Sequence, residues 1–310
     1  MISALAVSAR YGRSLLVAGL LAGIFLPAAA AFIRDYIPEL VALLLFLAAF
    51  RVGPRQAVGA MADLRHALGS VLLLQLLIPM LLAAGFAVIG WPTPLLLGVA
   101  LMAAAPAISG SPNLAIMTGN DPAPSLRLLV IGTALLPLTA IPVFWMLPGI
   151  NSAAQVIPAA SRLLVLILAA ALLAFLLRWR LLPHLDGQNR DAVDGASAWV
   201  MAIVVVGLMV AVGPALATRP AAVAVALGVV FVANFGLQLL VRRLSRGRVP
   251  NPQSVALGIA AGNRNIALFL TALPAGFTDQ LMLFIGCYQI PMYLTPIAMG
   301  WLYKSEEEKE

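Results

Sequence analysis

The chain has 310 residues, 62% of them hydrophobic and only 10% charged, with a mean hydropathy of +1.01. A soluble core of this size needs far less apolar surface, so composition points to a polytopic all-α membrane protein. A single cysteine, Cys287, excludes a disulfide framework and a cysteine-based metal site, and the net charge of +7 hints at nucleic acid only until topology accounts for it.

Ten hydrophobic segments follow one another, at roughly 14–33, 37–50, 68–90, 94–119, 125–148, 158–178, 197–217, 220–241, 252–274 and 281–303. The first imitates a signal peptide, because Arg10 and Arg13 precede an apolar run that reaches Ala28-Ala29-Ala30-Ala31. The run from Ser14 to Ile33 is long for such a leader, and retention as a span is expected. The second segment is short for a crossing unless it extends past Arg51. The stretch AVGAMADLRHAL that follows it reads as an amphipathic interfacial connector. His66 and His184 fall in polar connectors. No extramembrane domain fits between the segments.

Charge fixes an orientation for this layout. With the N-terminus in the cytoplasm, the inside regions hold Arg10, Arg13, Arg51, Arg55, Arg65, Arg127, Arg178, Arg180, Arg190, Arg242, Arg243, Arg246, Arg248, Lys304 and Lys309. That is 15 of the 19 basic residues, against Arg34, Arg162 and Arg219 outside, with Arg264 left over. The asymmetry predicts both termini inside. It also explains the basic charge without nucleic acid. The acidic tail reads as a solvated terminus.

The two halves of the chain resemble each other. Gly132, Pro137 and Pro142 in the fifth segment repeat as Gly286, Pro291 and Pro296 in the tenth, at an offset of 154. Ser111-Pro112-Asn113-Leu114-Ala115-Ile116 in the fourth aligns with Asn263-Arg264-Asn265-Ile266-Ala267-Leu268 in the ninth, at an offset of 152. Five segments per half reverse the orientation of the second, so the chain is expected to be one transporter domain of two inverted five-helix repeats, about 10–150 and 155–305.

The polar breaks lie in the fourth and ninth segments. Gly110 and Pro112 are expected to interrupt the fourth helix, and Gly262 marks the equivalent hinge in the ninth. Irregular backbone at membrane depth is tolerated only against protein or a wet cavity, so both breaks should face inward and meet. Ser111, Asn113, Asn263, Arg264 and Asn265 are the candidate site residues there. Gln75 is a further intramembrane amide, either a helix-packing bond or a cavity ligand. Arg264 stands out, since an arginine at the centre of a span costs roughly 2.5–3.5 kcal/mol on insertion scales.

With Ala48-Ala49-Phe50-Arg51-Val52-Gly53-Pro54, Gln75 with Ile78-Pro79, Ser111-Pro112-Asn113 with Met117-Thr118, and Arg264-Asn265 in that order, nearly the whole chain resembles bacterial members of the bile acid:sodium symporter family. That family belongs to the wider bile/arsenite/riboflavin transporter superfamily. The resemblance implies a panel domain from segments 1, 2, 6 and 7 and a core domain from 3–5 and 8–10. The discontinuous fourth and ninth helices would cross in the core. It also implies a small, anionic substrate in the crevice between domains, alternating access, a monomer in the lipid bilayer and a bacterial inner-membrane location.

One departure bears on coupling. Sodium-coupled members place a glutamate and a glutamine in the ninth helix, at positions that align with Ala260 and Arg264. Pro112 replaces the serine of the fourth-helix Ser-Asn pair. A sodium site needs several hard oxygens, usually with a carboxylate. No cofactor is expected, and sodium coupling is expected to be lost. Arg264 then has two readings: a tethered cation that bonds to freed carbonyls and to Gln75 or Asn113, or an anion-binding group in the crevice. Alternatives are a sodium-coupled bile-acid-type symporter, or an uncoupled carrier or exporter of an arsenite-like or neutral solute. A channel or sensor fits less well. An enzyme lacks a nucleophile–base pair within the spans, and Asp121 reads as a loop-edge carboxylate.

Overall fold

The computed structural model describes residues 2–60, 64–90, 93–182, 185 and 187–303. His184, Lys304, Lys309, the acidic tail and the middle of the AVGAMADLRHAL connector lie outside the described residues. Among the described residues there are helices and no strands. The first half runs α1 (Ile2–Arg10), α2 (Gly12–Phe25), α3 (Pro27–Arg34), α4 (Ile37–Gly59), α5 (Leu64–Leu72), a π-helical turn at Leu73–Leu77, α6 (Ile78–Val88), α7 (Pro94–Ala104), α8 (Ser111–Met117) and α9 (Ala123–Met146). The second half runs α10 (Ala153–Leu181), α11 (Gly187–Leu208), α12 (Val212–Thr218), α13 (Pro220–Ser245), α14 (Asn251–Gly262), a 3₁₀ segment at Ile266–Thr271, α15 (Ala275–Asp279), α16 (Met282–Ala298) and α17 (Gly300–Tyr303).

Six of these stretches are long and apolar enough to cross a bilayer: Ile37–Gly59, Leu64–Val88, Ala123–Met146, Ala153–Leu181, Gly187–Thr218 and Pro220–Ser245. The protein is therefore an all-α, membrane-embedded helical bundle. The first predicted segment is not one straight helix. Leu26 ends α2 before Pro27 opens α3 within it, and ahead of it α1 and α2 meet at a bend of 79°. The fourth and ninth segments are each divided, into α7 and α8 and into α14 and the 3₁₀ segment. His66, expected in a connector, sits in α5 at the start of a candidate span.

Proline explains much of the segmentation. It stands in the first turn of α3, α4, α6, α7, α8, α9, α13 and α14, where its missing N–H is not needed. Inside α4, Pro54 cannot donate to the Phe50 carbonyl four residues earlier. Gly53 kinks the helix at φ 71, ψ 164, a region open in practice only to glycine. Arg178 of α10 supplies the lost donor, giving Nη1 to the Phe50 carbonyl and, at 3.3 Å, to that of Arg51.

Two groups of helices result. α1–α4 pack with α10–α12, and α5–α9 pack with α13, α14, α16 and α17, the two groups meeting most where α9 lies beside α10 and where the 3₁₀ segment lies beside α4. Small residues draw the first group together, as membrane helices require when lipid is as apolar as leucine. A Cβ on Gly19 would lie 2.6 Å from the Ala202 carbonyl, and one on Gly195 would collide with the Leu5 carbonyl. Trp199 Nε1 donates to the Ser8 hydroxyl across the same contact, 3.1 Å away.

Candidate functional site: the crossing of two broken helices

Pro106 ends α7. It biases Ala105 away from helical backbone, and Ala105 is extended at ψ 154. The break therefore begins at Pro106. Pro112 opens α8 instead of interrupting a helix. Gly110 has ordinary right-handed backbone, φ −80, ψ −1, so its special freedom is not used. In the second half α14 stops at Gly262. Asn263 follows at φ −103, ψ 92 and Asn265 at φ −87, ψ 65, before the 3₁₀ segment.

The two breaks meet backbone to backbone. Ala107 and Arg264 form an antiparallel bridge. Ile108 N donates to the Asn263 carbonyl at 2.9 Å, and Asn265 N donates to the Pro106 carbonyl at 2.8 Å. Irregular backbone in an apolar setting is thereby satisfied by its counterpart.

Arg264 lies at this crossing and is only 3% exposed. Its Nη1 donates to the Ala105 carbonyl at 3.0 Å, its Nη2 to the Leu74 carbonyl at 3.0 Å and its Nε to the Ala261 carbonyl at 3.2 Å. Each acceptor is free for a local reason. Ala105 and Ala261 belong to the C-terminal ends of α7 and α14, where carbonyls lack helical partners and the dipole favours a cation. Leu74 belongs to the π-helical turn. There Ile78 N bonds back to the Leu73 carbonyl, and the residue five beyond Leu74 is Pro79, which has no N–H. Of the partners expected for Arg264, the carbonyls are present, while Gln75 and Asn113 are bonded elsewhere or exposed.

Gln75 is buried and turns to α9. Its Nε2 donates to the Gly132 carbonyl at 3.0 Å and to Thr139 Oγ1 at 2.8 Å. A Cβ on Gly132 would approach the Gln75 Oε1 to 2.9 Å. Asn113 is exposed on α8. Ser111 is buried, and its hydroxyl has no hydrogen-bond partner among the described residues. Among the described residues, no side-chain bond links either to the crossing.

Asn263 is buried and braces the end of α14, with Nδ2 donating to the Ile259 carbonyl at 3.0 Å. Its Oδ1 accepts from Thr295 Oγ1 at 2.9 Å. Gly262 offers its carbonyl to Asn234 Nδ2 at 2.7 Å and also to the Tyr288 hydroxyl. That hydroxyl in turn accepts from Arg264 N at 2.8 Å. Gln238 joins Asn234 Oδ1 at 2.6 Å with Thr295 Oγ1 at 3.1 Å, and Tyr303 donates to Gln238 Oε1 at 2.7 Å.

Sequence reasoning missed Tyr288, Asn234, Gln238, Thr295 and Thr139. The signal was present for two of them. Asn234 and Gln238 are amides four apart in an apolar run, the same kind of signal that singled out Gln75.

Asn265 is half-buried and reaches a narrow cavity between the two helix groups. Ser109, Arg264, Asn265 and Gln289 line one wall, and apolar residues of α4 and α11 such as Val41 and Val204 line the other. Its volume is about 20 Å³, room for a water molecule and no more. No family model matches the chain, and no curated protein matches it.

Proposed function

We propose that the protein is a secondary transporter of the bile acid:sodium symporter fold, moving a small organic anion by alternating access without the family's sodium coupling. The observation that carries this is the crossing of two broken helices around a buried, carbonyl-bound arginine. Discontinuous helices that meet at depth, with half-helix ends turned inward, are how many secondary transporters build a midplane site.

On this reading the chain has ten spans in two inverted repeats, with both termini cytoplasmic in a bacterial inner membrane. α1–α4 with α10–α12 form the panel, and the other helices form the core. The offset sequence matches support the repeat. So does a parallel in the polar links: Gln75 ties the third segment to the fifth, and Gln238 ties the eighth to the tenth.

Arg264 acts as a tethered cation where sodium-coupled relatives of the proposed family recruit a free one. Three carbonyls already hold it, so its first duty is to fix the crossing. Anionic substrate is drawn by the same positive charge, from the Asn265 side of the cavity. A 20 Å³ cavity is too small for any organic anion, so substrate entry requires the panel and core to separate.

Uptake of labelled organic anions into proteoliposomes, with sodium and proton gradients imposed separately, tests this reading. Saturable uptake without a sodium requirement is the expected result. Strict sodium dependence would overturn the coupling proposal, and flux that never saturates would favour a channel.

A further inference from the structure

The contacts between the two helix groups are unevenly placed. One apolar core contains residues of both groups: Ile37, Val41, Leu208 and Val212 from one, and Phe144, Phe269 and Phe284 from the other. These come from the start of α4, the end of α11, α12, the end of α9, the 3₁₀ segment and the start of α16. They mark the end of the bundle where α3 turns into α4 and where α15 lies.

At the opposite end the apolar packing is divided. Phe50, Ala174 and Leu185 cluster within the first group. Val71, Leu128, Val241 and Leu257 cluster within the second, as do Ala115, Val255, Met299 and Tyr303. Polar bonds follow the same division. Arg51 Nε pairs with Asp194 at 2.7 Å inside the first group, and Asn120 Nδ2 donates to the Tyr303 carbonyl at 3.0 Å inside the second.

Among the described residues, side-chain bonds join the groups at the α3/α15 end. Arg34, the last residue of α3, forms an ion pair with Asp279, the last residue of α15. Arg162 of α10 donates through Nη1 to the carbonyl of Ala272, just past the 3₁₀ segment, at 3.4 Å.

We propose that Arg34–Asp279 and Arg162–Ala272 form a latch that holds the bundle shut at the α3/α15 face, and that the structure is the state closed on that face. This rests on the carrier reading above. Both bonds must break for the cavity at Ser109 and Asn265 to open toward α3 and α15. Exposed ion pairs are weak, and Asp279 is 54% exposed in its side chain, which suits a contact that opens and recloses in every cycle. The apolar seam beneath then parts with the latch.

The single cysteine, buried Cys287, makes a clean test possible. In the full chain with Cys287→Ser, Ser109→Cys reports on the cavity in sealed vesicles of either orientation, probed with a membrane-impermeant maleimide. With the latch intact, label is expected to enter from the face opposite α3 and α15. Combining Arg34→Ala with Arg162→Ala is expected to raise labelling from the α3/α15 face roughly three-fold or more, the population shift that contacts of this strength can hold. Exchanging the charges, Arg34→Asp with Asp279→Arg, is expected to restore the original pattern while Arg162 is kept. Labelling from one face only, unchanged by any latch variant, overturns the latch alone. Equal labelling from both faces in every variant overturns the carrier reading itself. Should the double alanine variant fold poorly, the disulfide from Arg34→Cys with Asp279→Cys serves instead. It is expected to abolish labelling from the α3/α15 face, and labelling that persists there refutes the latch.

Discussion

Arg264 and Leu74 are 190 positions apart, yet the guanidinium of one fills a gap in the backbone of the other. The gap exists because a π-helical turn shifts the hydrogen-bond register and Pro79 then has no N–H to give. Arg178 and Phe50 repeat the device in the other helix group, where Pro54 is the proline at fault. In both cases an arginine does a backbone donor's work.

Removing the Arg264 side chain therefore orphans three carbonyls at once. Arg264→Met is expected to destabilise the protein by about 1–3 kcal/mol for each carbonyl left unpaired. Arg264→Lys keeps the charge but loses the planar fork, and should fall between. Thermal unfolding in detergent, compared across the three proteins, checks the order.

Tyr288→Phe removes one hydroxyl and no volume from the core. Gly262 keeps the bond from Asn234, so the loss falls on the buried N–H of Arg264. An unpaired buried donor costs about 1–3 kcal/mol, and a drop of that size is expected in a denaturant titration. A change below the lower bound would mean that Arg264 N finds another acceptor.

Much of the crossing was legible in the sequence. The asparagines flanking Arg264 and the prolines near Ser111 marked both breaks, because proline and polar side chains are conspicuous in apolar runs. The partners were not legible. Which carbonyl is left free depends on helical register, and the π-helical turn at Leu73–Leu77 has no signature that separates it from ordinary helix. Asn113 was expected at the site because it aligns with Asn265, but α8 restarts in a direction that leaves Asn113 exposed. The bend between α1 and α2 also escaped notice, since it lies ahead of the first apolar segment, where Arg10 and Arg13 read as flanking charge and not as helix.

Glycine substitutions should separate close packing from open surface. Gly195→Ala places a methyl into the Leu5 carbonyl, and overpacking of this kind costs about 1–3 kcal/mol. Gly228 has nothing within 4 Å of its would-be Cβ, so Gly228→Ala should stay within about 0.5 kcal/mol of the parent. Limited proteolysis of the α1–α2 region provides a local reading: faster cleavage is expected for Gly195→Ala alone.

Gly53→Ala tests backbone strain. At φ 71, ψ 164 a side chain costs about 1–3 kcal/mol, and the new methyl would also press on the Arg178 guanidinium, 3.2 Å away. A lower unfolding temperature is expected, unrelieved by Arg178→Ala because that change leaves the Phe50 carbonyl unpaired.

Sodium offers a ligand test that needs no substrate. An ion that binds only the native state stabilises it by mass action, with the logarithm of its concentration relative to its Kd. If Arg264 occupies the cation position, replacing potassium chloride by sodium chloride at equal ionic strength should leave the unfolding temperature unchanged. A rise specific to sodium would support the sodium-coupled alternative.

None of the three groups that hold the Arg264 guanidinium is a carboxylate; all are neutral carbonyls. The crossing thus keeps a whole elementary charge inside the bundle. Moving one such charge through the full membrane field is worth about 2.3 kcal/mol per 100 mV. Any shift of this element along the membrane normal does electrical work in proportion to the fraction of the field it crosses. The membrane voltage would then bias the balance between conformations even with no ion bound.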